Sequence, residues 1–340
     1  MVKTLYKTMW NNLKQFRAGE IEKKGSNGSL CFSIAPMLID IFDIEDPMRF
    51  REKYNMAIGG SGSEEDKITT LHSSSLCALL HFYNVERHPL TLEFKTKNNK
   101  KVEIKRRVIF NKSVFEFKSP VIDPRYPSNM DVVLIGKDKD NGENIVFFLE
   151  SKFAEYYLYA NKKSGDISKR YSGSDGNEYT KIIYEEEKLN RLGLKTKPSK
   201  KEKHFYLNSE EKFYVDGIKQ MISHYCGIRN VLEPKYYNET DEFRMKNVQE
   251  VVESEIKEKN PVVILGEIVF DSKIGDLKLS PDSDKTCLEI YRKKYQELAK
   301  IIAGIDNLPE KFEMVNDLLC YSTIRDKLED NIKAFYYGNE

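Results

Sequence analysis

The chain has no run of 18 residues free of polar interruption, so no segment is a candidate transmembrane helix. Its opening, MVKTLYKTMWNNLKQF, lacks the unbroken apolar core and small-residue cleavage site of a secretory signal. Cysteine is sparse: Cys31, Cys77, Cys226, Cys287 and Cys320 are odd in number, far apart and without CxxC spacing. That argues against a disulfide framework, a cysteine metal site and an iron–sulfur cluster. These absences set the expectation of a reduced, cytoplasmic protein without a membrane partner. No P-loop is present, which argues against ATP-driven movement within this chain. His72, His81, His88, His204 and His224 include no HExxH or other zinc spacing, and Ser73–Ser75 lacks a GxSxG elbow. His72 and His224 fall on expected helices and read as packed or exposed side chains. An excess of one charge is missing as well. The 55 Lys and Arg offset 54 Asp and Glu to a net +1, so any nucleic-acid footprint must be local.

What is present is apolar enough, at 40% of 340 residues, for one large or two modest domains. The segment 67–85, KITTLHSSSLCALLHFYNV, has helical apolar spacing, with Ser63 as a cap and Asp66 three residues on. TLEFKT, KVEIKRRVIF and SVFEFKSPVI read as separate strands divided by the turn signals NNK and NKS. FAEYYLYANKK reads as a helix and 164–178 as a Gly/Ser-rich loop, followed by a charged helix with a lysine-rich tail over 179–204. In 214–228, Ile218, Met221, Ile222, Tyr225 and Cys226 form one helical stripe. PVVILGEIVF reads as a strand buried on both faces, and the last seventy residues as helices starting near Thr286, Pro309 and Thr323. Strands clustered between helices imply an α/β fold with a central mixed sheet flanked by helices. The division expected is a mostly helical extension over 1–60, a core over 61–280 and a helical segment over 281–340 packed on the core.

Residues 129–157, NMDVVLIGKDKDNGENIVFFLESKFAEYY, hold two very apolar runs around Asn141-Gly142, a preferred pair for a two-residue hairpin loop. That loop would set Asp131 directly across from Lys152, with Glu150 diagonal to Asp131 on the same face. One lysine and two carboxylates then gather at the end of a buried hairpin. Two acids so placed repel one another unless a cation lies between them. Mg²⁺, held by one or two carboxylates together with phosphate oxygens and water, suits such a site, and Lys152 would face the phosphate or the attacking water. The Glu-x-Lys spacing alone says little, since Glu93/Lys95, Glu103/Lys105 and Glu116/Lys118 share it. Context separates Glu150: it ends an apolar run whose antiparallel partner begins with Asp. Glu116/Lys118 is the nearest competitor. The plainer reading is a salt bridge at the hairpin base.

In these residues the chain resembles the PD-(D/E)xK nuclease superfamily, the restriction-endonuclease-like fold. Asp131 opens a strand, Glu150-Ser151-Lys152 closes the next, and a helix follows. The resemblance covers about 65–157 well and 214–270 loosely. It implies Asp131 and Glu150 as ligands of a divalent metal, Ser151 as a main-chain carbonyl ligand, and Lys152 as the residue that positions or deprotonates the nucleophilic water. It further implies a third acid on the preceding helix, taken as Glu64, with Glu65 beside it and a helix-start role as the alternative for both. A Gln near the lysine, found in some members, matches Gln220. The chain departs from the pattern in having Pro127 four residues before Asp131 rather than adjacent to it. The function implied is a Mg²⁺-dependent DNA endonuclease, with Mn²⁺ as a substitute metal, RNA as an alternative substrate and a homodimer among the allowed assemblies. The competing readings are a nucleic-acid-binding protein without catalysis and a protein whose hairpin charges form only a salt bridge. Two basic segments, 95–107 and 188–203, each carry seven Lys or Arg against one acid and could track phosphates.

Overall fold

The computed structural model describes residues 22–24, 29–31, 35–59, 68, 73–98, 100, 102–121, 127–162, 166–168, 185–201, 204–233, 246–272, 274–278, 280–305 and 308–338. Glu64, Glu65, Ser63, Asp66 and His72 lie outside them, as does most of 164–178. A small antiparallel pair, β1 (Glu22–Lys24) and β2 (Ser29–Cys31), precedes helices α1 (Ala35–Phe42) and α2 (Pro47–Ile58). Asp46 caps α2 by accepting from the Arg49 amide at 3.1 Å, and Pro47 opens the helix where a missing N–H costs nothing. Helix α3 (Ser74–Phe82) is capped by Ser73, whose hydroxyl accepts from the Leu76 amide at 3.0 Å.

Seven strands form the central sheet: β3 (Leu90–Lys97), β4 (Glu103–Ser119), β5 (Ser128–Asp138), β6 (Asn144–Lys152), β10 (Val262–Val269), β11 (Phe312–Val315) and β12 (Leu319–Cys320). Strands β3 to β6 are antiparallel neighbours, and β10 runs parallel to β6. Strand β11 pairs in parallel with β10 through Val263 and Phe312 and antiparallel with β3 through Thr96 and Val315, so six strands close into a ring. Strand β12 extends the same edge of β10. The protein is thus mixed α/β, with a large, mostly antiparallel sheet flanked by helices.

Helix α4 (Glu155–Leu158) is a single turn after β6 rather than a longer helix. Strand β7 (Asp166–Ser168), helix α5 (Glu186–Arg191), β8 (Leu194–Pro198) and β9 (His204–Ser209) follow, with order β7-β9-β8 in a second, three-stranded sheet. The lysine-rich tail after α5 therefore includes a strand. Leu194, Phe205 and Leu207 anchor it in the core while its lysines face out. Helix α6 (Val215–Leu232) buries the stripe Ile218, Met221, Ile222, Tyr225 and Cys226 completely and packs across β4 and β5. Helix α7 (Lys246–Glu250) continues as a wider π-helical turn over Val251–Lys257. Helix α8 (Cys287–Ala303) starts with a full capping box between Thr286 and Glu289. Beyond it the chain departs from an all-helical reading. The buried residues Phe312–Val315 add a strand, a 3₁₀ turn covers Tyr321–Lys327, and only α9 (Asp330–Tyr337) is helical near the end. Among the described residues, one hydrophobic core includes Leu38 of α1 and Tyr337 of α9, so both of these helices pack into it.

Two departures bear on the site. The segment expected as two strands is one 17-residue strand, β4. Its Asn-Lys-Ser is no turn: the register steps between Phe110 and Lys112, leaving Asn111 as a bulge. Gly136 lies opposite, and a Cβ there would stand 2.1 Å from the Ile109 carbonyl oxygen, so only glycine allows the approach. The β5–β6 hairpin also differs. Its loop is four residues, 139–142, because the Gly142 amide donates back to the Asp138 carbonyl at 2.9 Å and Gly142 takes φ +75°. The Asp138 carboxylate accepts from the Asp140 amide at 3.0 Å and the Asn141 side chain from the Glu143 amide at 3.0 Å, which favours the four-residue loop over a two-residue turn. Register shifts by two residues, which preserves which face each side chain occupies.

The ring closure holds a buried ion network. Arg106 of β4 donates to Glu313 of β11, to Asp138 at 2.8 Å and to Glu143 at 2.7 Å, while Thr96 of β3 donates to Glu313 at 2.6 Å. Replacing Arg106 with Met leaves Glu313 and Asp138 as buried charges without their cation. We expect a loss of about 3–5 kcal/mol in denaturant unfolding. Lys95→Ala, in an exposed pair with Glu103, should cost under about 1 kcal/mol in the same experiment.

Candidate active site on one rung of the sheet

Val132 pairs with Leu149 and Val133 with Phe148, so the next step sets Asp131 directly against Glu150 and leaves Lys152 diagonal. This reverses the expected positions of Glu150 and Lys152 but keeps all three on one face. On the other side of β5, Phe115 pairs with Val132 and Phe117 with Met130, which puts Glu116 level with Asp131. On the far side of β6, Glu267 of β10 pairs with Glu150. Four carboxylates thus occupy one rung across four neighbouring strands. Glu116 sits at φ +52°, a left-handed backbone conformation at this rung.

Three of the four, Glu116, Asp131 and Glu150, line a cleft of about 560 Å³ together with Lys152, Glu155 and His224. The N-terminal serines of α3 form part of its wall, and Tyr159, Tyr214, Gln220 and Ser223 another part. Asp131 is half-buried. Its carboxylate accepts from the Ser151 amide at 2.8 Å and from the Ser75 hydroxyl at 3.4 Å. Ser151 sends its own side chain elsewhere, to the Ser74 carbonyl at 3.0 Å and the Tyr321 hydroxyl at 2.8 Å, so its contact with the acids is through the main chain. Glu150 is 4% exposed and Lys152 3%, and the two form an ion pair. The other Glu150 oxygen stands 2.9 Å from His224 Nε2, without hydrogen-bond geometry. His224 Nδ1 lies 2.6 Å from the Ser128 hydroxyl.

Charge along the rung alternates. Burial and the facing Glu150 charge push the Asp131 carboxyl well above the usual carboxylate range, against the pull of Lys152 and the Ser151 amide. Burial also opposes ionisation of Glu150, but Lys152 and His224 outweigh it and hold that carboxyl down at about 2. Glu267, fully buried against the Tyr291 hydroxyl at 3.1 Å, is pushed up by burial to about 8, with Lys152 pulling the other way. Lys152 loses hydration to burial, yet the charge of Glu150 foremost keeps its ammonium firmly protonated. Burial raises Glu155 too, although its carboxylate accepts from the Phe153 amide at 2.6 Å.

Asp131, Glu150, the Ser151 main chain and Lys152 therefore come together, and Gln220 lies at the same cleft, accepting from the Tyr214 hydroxyl at 3.4 Å. Glu116, the rival Glu-x-Lys acid, belongs to the same site. His224, read as merely packed or exposed, faces Glu150. Its signal was available, since His224 follows Gln220 by one helical turn and shares its face of α6. The basic segment 95–107 lies elsewhere. Arg106 and Arg107 flank the Asp138 end of β5, roughly 23 Å along the strand from Asp131. Arg106 is buried in its ion network, and Lys95 and Arg107 pair with Glu103 and Glu93. In 188–203, Lys188 pairs with Glu185, Arg191 with Glu297 and Lys195 with Glu210. Among the described residues no group of three or more His, Cys, Asp or Glu has the arrangement of a metal-holding cluster. No protein-family model, curated protein or solved structure matches the chain.

The rung makes a pH prediction. Glu267 keeps its proton in the fold up to about pH 8, while the unfolded chain gives it up near 4.5. Between these values the unfolded state binds fewer protons, so this group's contribution to stability falls as pH rises and levels off above 8. Glu267→Gln should flatten that part of the stability profile and raise the melting temperature at pH 8. A profile unchanged by the substitution would rule out the buried proton. The two cleft acids should diverge in the metal-free protein. Asp131→Asn removes repulsion and should raise the melting temperature by roughly a degree or more. Glu150→Gln strips Lys152 of its partner and should destabilise by about 3 kcal/mol or more.

Proposed function

We propose that the protein is a divalent-metal-dependent phosphodiesterase acting on nucleic acid, a nuclease of the PD-(D/E)xK type. One observation carries the reading: Asp131 and Glu150 face each other across adjacent strands in a cleft that holds more carboxylates than cations. Among the described residues that line it, Glu116, Asp131, Glu150 and Glu155 outnumber Lys152 and His224, so an added cation supplies charge that a phosphate needs there. The donor set fits a hard divalent ion: oxygen ligands on neighbouring strands, a buried Glu150 oxygen with no hydrogen bond, and an Asp131 carboxyl under repulsion that a cation relieves. Asp131, Glu150 and the Ser151 carbonyl would hold the ion, with Mn²⁺ able to replace Mg²⁺. A bound divalent ion supplies a Lewis acid for the scissile phosphate.

The chain's own residues supply the rest. The Ser151 amide and the Ser75 hydroxyl orient Asp131. Lys152, kept charged by the surrounding acids, is the one ammonium directed at the phosphate or its attacking water. His224, itself fixed by Ser128, stands 2.9 Å from the Glu150 oxygen that Lys152 does not take. Gln220 faces the cleft near Lys152. Glu64 remains the proposed third acid, and DNA the proposed substrate, with RNA the alternative. A salt-bridge reading accounts for the Lys152–Glu150 pair but not for two further acids on the same rung.

A second reading rests on the line Ser128–His224–Glu150. A hydroxyl, an imidazole and a carboxylate in sequence are the components of an activated serine nucleophile. Chelation separates the two. In the metal-dependent reading, plasmid cleavage requires Mg²⁺ or Mn²⁺ and stops with EDTA, Asp131→Asn abolishes it, and Lys152→Ala loses activity while still binding Mn²⁺ by calorimetry. Ser128→Ala should then retain substantial activity. Hydrolysis that survives EDTA and vanishes in Ser128→Ala would favour the serine. Intact nucleic acid together with no metal uptake would leave the salt-bridge reading.

A further inference from the structure

Resting on the nuclease reading, we propose that the substrate enters this cleft as a single-stranded polynucleotide, with a base stacked on Tyr159. The depth of the charged groups is the first argument. Glu150 and Lys152 are 4% and 3% exposed, and the cleft above them holds about 560 Å³. A duplex is stiff, with a persistence length of about 150 bp, so it does not bend one stretch of backbone down to groups so covered. A single strand bends, and one unstacked nucleotide fits the space.

The chemistry of the mouth is the second argument. Tyr159 follows α4 and is half-buried at the cleft, 6.1 Å from the Tyr214 ring. The exposed Lys162 ammonium lies 4.0 Å over the Tyr159 ring. An aromatic face beside a cation is the pairing that binds single strands without regard to sequence, the ring taking a base and the ammonium a phosphate. Among the described residues, Arg106 and Arg107 of the basic segment 95–107 lie at the other end of β5, away from the site. Gln220 and Ser223, on the α6 wall, add polar groups able to meet a base edge or a sugar hydroxyl.

The test uses the full chain with Mn²⁺ and end-labelled 30-mers: single-stranded DNA, the same sequence as a blunt duplex, a duplex with a single-stranded tail, and single-stranded RNA. Single strands and tails should be cut at least tenfold faster than the blunt duplex, and the DNA and RNA arms identify which sugar is accepted. Tyr159→Ala should raise KM for the single strand by roughly tenfold or more, with a smaller change in kcat. Tyr159→Phe, which keeps the ring, should recover most of that loss. Lys162→Ala should weaken binding and flatten its salt dependence. A blunt duplex cut as fast as the single strand would overturn this inference and leave the nuclease reading standing, as would an unchanged KM in Tyr159→Ala. Absence of cleavage in every arm would instead remove the nuclease reading, and this inference with it.

Discussion

Lys152 is a buried ammonium set against a rung of four carboxylates, and much of the structure around it serves to keep that arrangement tolerable. Neighbouring strands stand about 4.8 Å apart, so adjacent acids on a rung interact by several kcal/mol at the effective dielectric of a protein interior. Four ionised groups in a row would repel one another strongly. The protein avoids this by alternation: Asp131 is raised, Glu150 lowered and Glu267 raised. Lys152 pairs with the acid that is ionised. Titratable neighbours whose environments drive their proton affinities apart are what acid–base and metal chemistry requires.

A rung exists only while four strands keep register. Slippage of β6 by one residue would send Glu150 and Lys152 to the opposite face and bring Ser151 into the cleft. Register is held at the far end of the hairpin, where Arg106 ties Asp138 and Glu143 to Glu313 of β11. The bulge at Asn111 and the close approach of Gly136 fix β4 against β5. The ion network at one end of β5 and the acid rung at the other are therefore mechanically linked through strands too well buried to slide. Such a network contributes little net stability for its desolvation cost, but it penalises every wrong register heavily.

How far the sequence was readable follows from which rules are local. The α6 stripe, the helix starting near Thr286 and the doubly buried β10 depend on local sequence, and all are present. The shared face of Asp131, Glu150 and Lys152 survived an incorrect loop length because facing depends on parity alone. Their order did not, since Asn141-Gly142 is wound into a four-residue loop by contacts from Asp138 and Glu143 that a dipeptide preference omits. Strand β11 was missed because four residues carry no periodic signal, and its partners lie about fifty and two hundred residues earlier. Glu116 was set aside as a rival to Glu150. Only the pairing of β4 with β5 shows that the two lie on one rung. Glu64 and Glu65 lie outside the described residues, so the third acid stays an expectation.

The balance of charge gives the order of events in the proposed reaction. Lys95, Lys188 and Lys195 of the lysine-rich segments are held in ion pairs, while the cleft is rich in carboxyl groups. A phosphate approaching the metal-free site meets the charged Glu150, whose partner Lys152 is already engaged, and further acids that offer it no counter-charge. Adding two positive charges supplies one. Cation and substrate must then raise each other's affinity by the same factor, because each neutralises what the other cannot tolerate. On this account the weak overall charge of the chain is no argument against a polyanionic substrate. It means that recognition is local, conditional on the ion, and directed to whatever strand can reach a lysine at the bottom of a narrow cleft.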